Sequence, residues 1–394
     1  MDIIYVASTC TPQKYYEYVE KQGKRVSQQA QKYNYLLADG FVKNGAKVTL
    51  LSSRPMNRDL SHKFWFKGER ETDKNGVQFY YLPFINFPGM RSLFLFFGMF
   101  FKILFAKGKP EIICDALNIV SALAVIMVSK IRNLHTIGIV TDVPCHRPNQ
   151  GKPSMHERMN LWIMKRFSAY LLLTEQMNEI VNTKKHPYIV LEGHADESMA
   201  AVENALVNKY DKKVCIYAGT LRSIYGIEYL VKGFIVANIP DTELHIYGNG
   251  DFAQKLKEYT KEYPNILYFG VAPNEEVVKE EIKATLLINP RPTHEEYTKY
   301  SFPSKNMEYM ASGTPVLTTR LPGMPRQYEP YVYLINDESV DGVKKALEEV
   351  FSNSRQELHK RGMLAKKFIL DEKNNRVQAK KVIDVLMKNY SGRE

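Results

Sequence analysis

Residues 300–316 read YSFPSKNMEYMASGTPV. Pro303 stands just ahead of a helical pattern over 304–311, and Ser304 occupies the position of a helix N-cap. Gly313 stops the helix, and the apolar run 316–319 starts a strand. Such a helix start presents free backbone N–H groups and a partial positive charge, a ready-made phosphate site. Lys305 adds a point charge in the first turn, suited to a diphosphate. Glu308 lies about one turn beyond Ser304 on the same face, where a carboxylate accepts two O–H hydrogen bonds from a ribose diol.

On the N-terminal side of this stretch, strand-like and helix-like runs alternate. Strands are predicted over 213–218, 242–247, 265–269 and 285–289, and helices over 226–238, 251–263 and 274–283. Ligands of open α/β sheets bind outside the carboxyl ends of the strands. There the sequence places Gly219-Thr220, Gly248-Asn249-Gly250, Gly270-Val271 and Pro290-Arg291-Pro292. Earlier still, strands over 2–7, 47–52, 77–82, 110–115, 136–141, 169–174 and 188–191, with a helix over 28–44, repeat the alternation. The pattern predicts two Rossmann-like α/β domains, each a doubly wound, mostly parallel sheet. The boundary falls near 192–198, giving domains 1–192 and 193–370, with a basic helical tail closing the chain over 371–394.

A chain of 394 residues suits two domains. With 44% apolar and 25% charged residues, long disorder is not expected. Cys10, Cys114, Cys145 and Cys215 are scattered, which reads as free thiols and argues against a disulfide framework or zinc site. No secretory leader is apparent, so a cytoplasmic protein is expected. The net charge of +11 lies wholly in the first half: residues 1–192 hold 26 Lys and Arg against 15 Asp and Glu, and residues 193–394 hold 28 of each. An acidic partner of that half is implied. Residues 91–109, RSLFLFFGMFFKILFAKGK, are too short in their apolar part for a membrane span. They fit a buried core helix or an interfacial helix on anionic lipid.

The second half resembles the donor domain of glycosyltransferase family 4, of the two-Rossmann architecture called GT-B. The resemblance rests on YAGTLRSIYGIEYLVKGF, LHIYGNGD, NILYFGVAP, LLINPRP, SFPSKNMEYMASGTPVLTT and LPGMP, in family order. More loosely, YNYLLADGFVKNGAKVTLLSSRP, IVTDVP and LLLTEQMNEIV resemble parts of the acceptor domain. Bacterial enzymes that build capsular or exopolysaccharide repeats are the nearest in appearance.

The resemblance implies two domains facing a cleft and a tail helix crossing back to the first domain. It implies a nucleotide-sugar donor, UDP-linked by preference, transfer with retention, and no cofactor or catalytic metal. No Asp-x-Asp metal motif is present. By position, Glu308 matches the second glutamate of the family's pair and should hold the ribose. Gly270 and Val271 should border the base. Ser301 and the following amides, through Phe302, Pro303 and Ser304, should face the diphosphate or donor sugar. Three family contacts are replaced: Tyr300 stands for the first glutamate, Thr220 for an arginine after Gly219, and Tyr225 for a lysine. Arg222, Arg291 and Lys305 are the cations available instead, with Gly248 completing the donor loops.

Asp142 and His146, after the strand over 136–141, are the candidate groups to orient or deprotonate an acceptor hydroxyl. With Glu308 they form the expected catalytic set. Ser8 and Thr9 are placed facing the diphosphate, and His194 reads as a satisfied linker residue. The implied partners are the donor, a saccharide or polyprenyl-diphosphate-linked acceptor, and the anionic inner membrane surface. A dinucleotide oxidoreductase lacks its G-x-G-x-x-G after the first strand, and no nucleic-acid-binding motif accompanies the basic half. A sugar-nucleotide epimerase and a non-catalytic GT-B relative acting as a membrane-bound scaffold are the alternatives.

Overall fold

The computed structural model describes residues 1–20, 28–56, 60–144 and 152–387. The chain forms two compact units, Met1–His194 with Asn375–Glu394 and Ala195–Asn374.

Unit 1 opens with β1 (Asp2–Ala7), the short α1 (Pro12–Tyr15), α2 (Gln28–Lys43) and β2 (Lys47–Ser52). An excursion of short strands follows: β3 (Trp65–Phe66), β4 (Glu69–Thr72), β5 (Gln78–Tyr81) and β6 (Phe84–Ile85). Then come α3 (Met90–Leu104), β7 (Glu111–Asp115), α4 (Ile119–Arg132), β8 (Thr136–Val140), α5 (Met155–Met164), β9 (Ala169–Leu172), α6 (Gln176–Val181) and β10 (Tyr188–Val190). The sheet order is β10-β9-β8-β7-β1-β2-β5-β4. All pairs are parallel except the antiparallel β4–β5 edge. Central strands such as β8 are buried along their whole length, as a sheet covered by helices on both faces requires.

Unit 2 contains β11 (Lys213–Ala218), α7 (Ile227–Ala237), β12 (Thr242–Tyr247), α8 (Ala253–Glu262), β13 (Ile266–Gly270), α9 (Asn274–Lys283), β14 (Leu286–Asn289), α10 (Ser304–Ser312), β15 (Val316–Thr319), β16 (Tyr333–Ile335), α11 (Val340–Phe351) and α12 (Arg355–Glu372). Its sheet is parallel throughout, in the order β13-β12-β11-β14-β15-β16. In each sheet the order reverses beside the first strand, between β1 and β7 and between β11 and β14. Such switch points are where open α/β sheets take their ligands.

The last helix, α13 (Asn375–Val382), packs on α2 of unit 1. Gly40 permits the close approach, since a Cβ there would lie 2.2 Å from the Asn375 carbonyl oxygen. Asn375 donates to the Asp39 carboxylate at 2.7 Å, and Gln378 donates to the Gly193 carbonyl at 2.9 Å.

Helix α3 is half core and half surface. Leu95, Met99 and Ile103 are buried at successive turns, while Leu93, Phe97 and Phe101 on the other side are exposed. One face of the helix is thus core, as expected of a buried core helix, and the other is exposed apolar surface.

Candidate functional site

The carboxyl edge of unit 2 is built mainly from backbone. After β11, the Gly219 N–H donates to the Tyr247 carbonyl at 3.0 Å, and Leu221 N–H donates to Asn249. After β12, Gly248 donates to the Gly270 carbonyl at 2.5 Å, which joins the ends of three adjacent strands. Gly248 has φ +128°, and a Cβ on it would sit 1.7 Å from the Gly219 oxygen, so only glycine fits. Gly270 also has positive φ (+68°) but faces open space. Beyond it, Val271 is exposed and lines a recess of 490 Å³ with Tyr247, Phe269, Pro273 and Lys279. The Tyr247 and Phe269 rings stack at 4.8 Å along one wall.

Helix α10 is aimed at this edge by two anchors. The Tyr309 hydroxyl accepts from Ala218 N–H at 2.8 Å and donates to the Ala218 carbonyl at 3.1 Å, tying the helix to the end of β11. Asn306 accepts from Asn289 at 2.7 Å and donates to Thr318 at 3.1 Å, tying it to β14 and β15. Gly313, with φ +83°, closes the helix in a left-handed cap. One local expectation changes. Ser304 is the first helical residue, and the cap position belongs to Pro303, without a side-chain cap bond. The backbone N–H groups of the first turn are thus left without a side-chain competitor.

Lys305 and Glu308 project from one side of that turn and pair at 3.1 Å. Burial by itself would push the Lys305 ammonium down. The carboxylates of Glu308 and of Glu281, from α9, outweigh it and hold the pKa above the usual lysine value. Lys305 is therefore charged at neutral pH.

Tyr300 ends a short 3-10 turn, and Ser301 is extended. The Ser301 hydroxyl is buried and makes no hydrogen bond among the described residues. Phe302 is buried against Tyr328, with ring centroids 5.2 Å apart. Phe302 and Pro303 are thus supports, and Ser301 is the polar group of this run that remains uncommitted.

The cations gather around one tyrosine. The guanidinium of Arg291 lies 4.4 Å over the Tyr225 ring, and that of Arg222 lies 5.6 Å from it. Tyr225 thus holds two arginines at the edge, at the position where the resemblance expects a lysine. Arg291 Nε and the Tyr297 hydroxyl nearby are buried and make no hydrogen bond among the described residues. Gly226, at φ +77°, lets the loop press on the Pro290 carbonyl. Thr220 is exposed, and its carbonyl accepts from Tyr217 at 2.9 Å.

In unit 1, Asp142 is half-buried two residues after β8. His146 and Cys145 lie outside the described residues; Cys10, Cys114 and Cys215 are buried free thiols. His194 is buried, 2.8 Å from the Tyr33 carbonyl through Nε2. Thr9 departs from expectation. It is fully buried and its hydroxyl lies 2.6 Å from Gln31 Oε1, so it is committed inside the unit and cannot face a diphosphate.

Asp115, at the end of β7, is a functional candidate that the sequence reading passes over. Its Oδ1 accepts from Leu117 N–H at 3.1 Å. Burial pushes its carboxyl up to about 6, with the Leu117 and Asn34 hydrogen bonds acting the other way. Such a group exchanges protons near neutrality. The one signal in the sequence is a carboxylate closing the apolar run that precedes it. Among the described residues, no group of three or more His, Cys, Asp or Glu side chains forms a metal site.

Residues 200–387 match the family model described as glycosyl transferases group 1. No curated protein sequence matches the chain. Among solved structures, sucrose-phosphate synthase from Thermosynechococcus elongatus aligns over 100% of both chains, with a TM-score of 0.70 and 14% identity. Anabaena HepE in complex with UDP covers 98% of this chain and 99% of its own, with a TM-score of 0.65 and 12% identity. The catalytic domain of starch synthase IV from Arabidopsis thaliana, bound to ADP and acarbose, covers 99% of both chains, with a TM-score of 0.68 and 9% identity. The chain shares the fold of these structures, two Rossmann-like α/β domains in the GT-B architecture.

Proposed function

We propose that the protein is a retaining, metal-independent hexosyltransferase that uses a nucleotide-sugar donor, UDP-linked by preference. Its acceptor is a saccharide or polyprenyl-diphosphate-linked oligosaccharide in bacterial surface polysaccharide synthesis. It works in the cytoplasm, peripheral to the anionic inner face of the membrane. The observation that carries this reading is the Lys305–Glu308 pair on the first turn of α10, inside the segment that matches the family model.

Glu308 accepts the ribose hydroxyls, and the recess beside Gly270 and Val271 takes the base. The first-turn amides of α10, Ser301, Lys305, Arg222 and Arg291 meet the diphosphate. These donors stabilise the negative charge that grows on the leaving group as the bond between its oxygen and the anomeric carbon breaks. The acceptor oxygen bonds to the same face of that carbon, and its proton passes to the departing phosphate. Asp142 and Asp115, on unit 1, orient the acceptor hydroxyl.

The test is a screen of UDP-, GDP-, ADP- and dTDP-sugars by thermal shift, donor hydrolysis and transfer, repeated in EDTA. One nucleotide family should stabilise the protein, and Glu308→Ala should weaken that binding about 10- to 100-fold, the worth of one or two hydrogen bonds to a charged group. A response that Glu308→Ala leaves untouched would overturn the site. Tyr300 in place of the first family glutamate favours a second reading, a non-catalytic relative. Nucleotide binding with neither hydrolysis nor transfer would decide for it.

A further inference from the structure

The surface of unit 1 carries an aromatic ladder. Phe97, Phe101 and Phe105 stack at successive turns of α3 and just beyond it, with centroids 6.1 and 6.2 Å apart. Leu93, Phe97, Phe101 and Phe105 are 55%, 45%, 48% and 76% exposed. Isolated exposed apolar residues are ordinary, but a contiguous run of large ones marks an interaction surface. The ladder extends beyond the helix. Strands β3 and β6 form a two-stranded ribbon packed on α3, and Trp65 on that ribbon meets Phe94 edge-on at 5.9 Å. Phe64 and Trp65 are themselves exposed.

The charge around this face is predominantly positive, although Glu69 follows β3. From Lys74 to Pro110 the chain has no acidic residue, and residues 116–141 have none. Lys102, Lys107, Lys109 and Lys130 are exposed cations on α3, the turn after it, and the adjoining α4. The two helices are tied at their ends, where Arg132 donates to the Ile103 carbonyl at 2.7 Å and to the Gly108 carbonyl. A two-fold interface with a second copy would set these cations against their own images. An anionic lipid surface complements them. Helix α3 has 15 residues, about 22 Å of length, too short to cross a hydrocarbon core of about 30 Å. No helix of the described residues is long and apolar enough to do so.

We propose that unit 1 docks on anionic lipid through a composite face made of the α3 ladder and the β3/β6 ribbon, with α3 lying along the surface. This rests on, and deepens, the reading of a membrane-peripheral enzyme. The face is linked to the carboxyl edge of its own sheet. Arg91, in the first turn of α3, donates to the Ser53 and Arg54 carbonyls at 3.3 and 3.1 Å, just after β2. Docking therefore presents that edge to the head group of a lipid-linked acceptor.

The test uses the full chain and vesicles of phosphatidylcholine with and without phosphatidylglycerol, read by co-sedimentation. Binding should require phosphatidylglycerol, fall with salt, and weaken about tenfold or more in Phe97→Ser/Phe101→Ser and in Lys107→Glu/Lys109→Glu. The chain has only two tryptophans. In a Trp162→Phe background, the emission of Trp65 should therefore shift blue on anionic vesicles. Thermal melting checks that each variant is folded. Vesicle binding that both double variants leave unchanged overturns the face. A dimer dissolved by the phenylalanine pair, without vesicle binding, overturns lipid in favour of a second copy. Neither donor nor acceptor is present, so failure of the transferase reading leaves this result standing, and failure here leaves nucleotide binding by unit 2 standing.

Discussion

The carboxyl edges of the two sheets are built from different materials. In unit 2 the edge is backbone: Gly219, Gly248 and Gly270 join the ends of β11, β12 and β13 through their own N–H and C=O groups. In unit 1 it is side chain. Gln31 reaches from α2 to hold the loop after β1, with its Oε1 2.9 Å from Cys10 N and its Nε2 2.5 Å from the Cys10 carbonyl. Ser52, at the end of β2, donates to the Thr9 carbonyl. Tyr5 donates to Asn34 at 2.8 Å beneath Asp115. Beside the backbone-built edge Tyr309 ties α10 to the end of β11, and the first-turn amides of such a helix suit a phosphate. A side-chain-built edge can be varied residue by residue without moving the sheet.

The largest effect that separates the two designs is expected at Gly248. An alanine methyl would fall 1.7 Å from the Gly219 oxygen at φ +128°, so the backbone must move at the point where three strand ends meet. Gly248→Ala should cost more than about 3 kcal/mol in denaturant unfolding and abolish nucleotide-induced stabilisation. Gly270→Ala is its control. Nothing lies within 4 Å of its Cβ position, so only the φ of +68° is charged, about 1 kcal/mol. Equal losses at the two positions would show that strand-end packing is not what makes the edge.

The second contrast is electrostatic. Burial raises Asp115 to about 6 from the ordinary 3.8 of an aspartate. Between those values the folded state binds the proton that the unfolded state has lost, so stability falls as pH rises through the window and stays lowered above it. Tyr5, Tyr33 and Cys114, which face it, are neutral there, held up by burial. Asp115→Asn should therefore be more stable than the parent at pH 7.5, by about 1–3 kcal/mol. The difference should vanish near pH 4. Thermal melts across that range read it directly. A variant less stable at pH 7.5 would mean that the Asn34 and Leu117 bonds need the carboxylate.

The same difference in material explains what the sequence discloses. Unit 2 is legible because its edge requires glycines at strand ends, and a residue type that alone tolerates φ +128° announces itself. Its helices carry ordinary one-sided periodicity. In unit 1, α4 escapes because IVSALAVIMVSKIR is buried nearly all round, and a helix buried on most sides has no polar face to set its period. Strand β4 escapes for the opposite reason: ERET at the sheet edge buries nothing that would alternate. Asp115 and Gln31 escape because their roles depend on partners tens of residues away. Lys305 and Glu308 are legible as a pair, since one helical turn brings them together. The Tyr225 bracket is not, because Arg222 and Arg291 come from different strand ends.

That bracket yields the smallest effect and the finest test. Arg222→Ala and Arg291→Ala should each weaken donor binding about tenfold, as expected for one charge-assisted contact to a diphosphate. They should not be equal in kind. Arg291 is the closer to the ring, at 4.4 Å, and its Nε is buried, so ring contact and burial hold it in place before any ligand arrives. Arg222, at 5.6 Å, precedes a single 3-10 turn and has more freedom to move. Tyr225→Leu removes the ring and keeps both charges. If the ring positions the arginines, it should reproduce most of the Arg291→Ala loss in calorimetric titration with the responding nucleotide. If only net charge matters, Tyr225→Leu will bind like the parent, and Tyr225 is then packing for the loop rather than a substitute for the missing lysine.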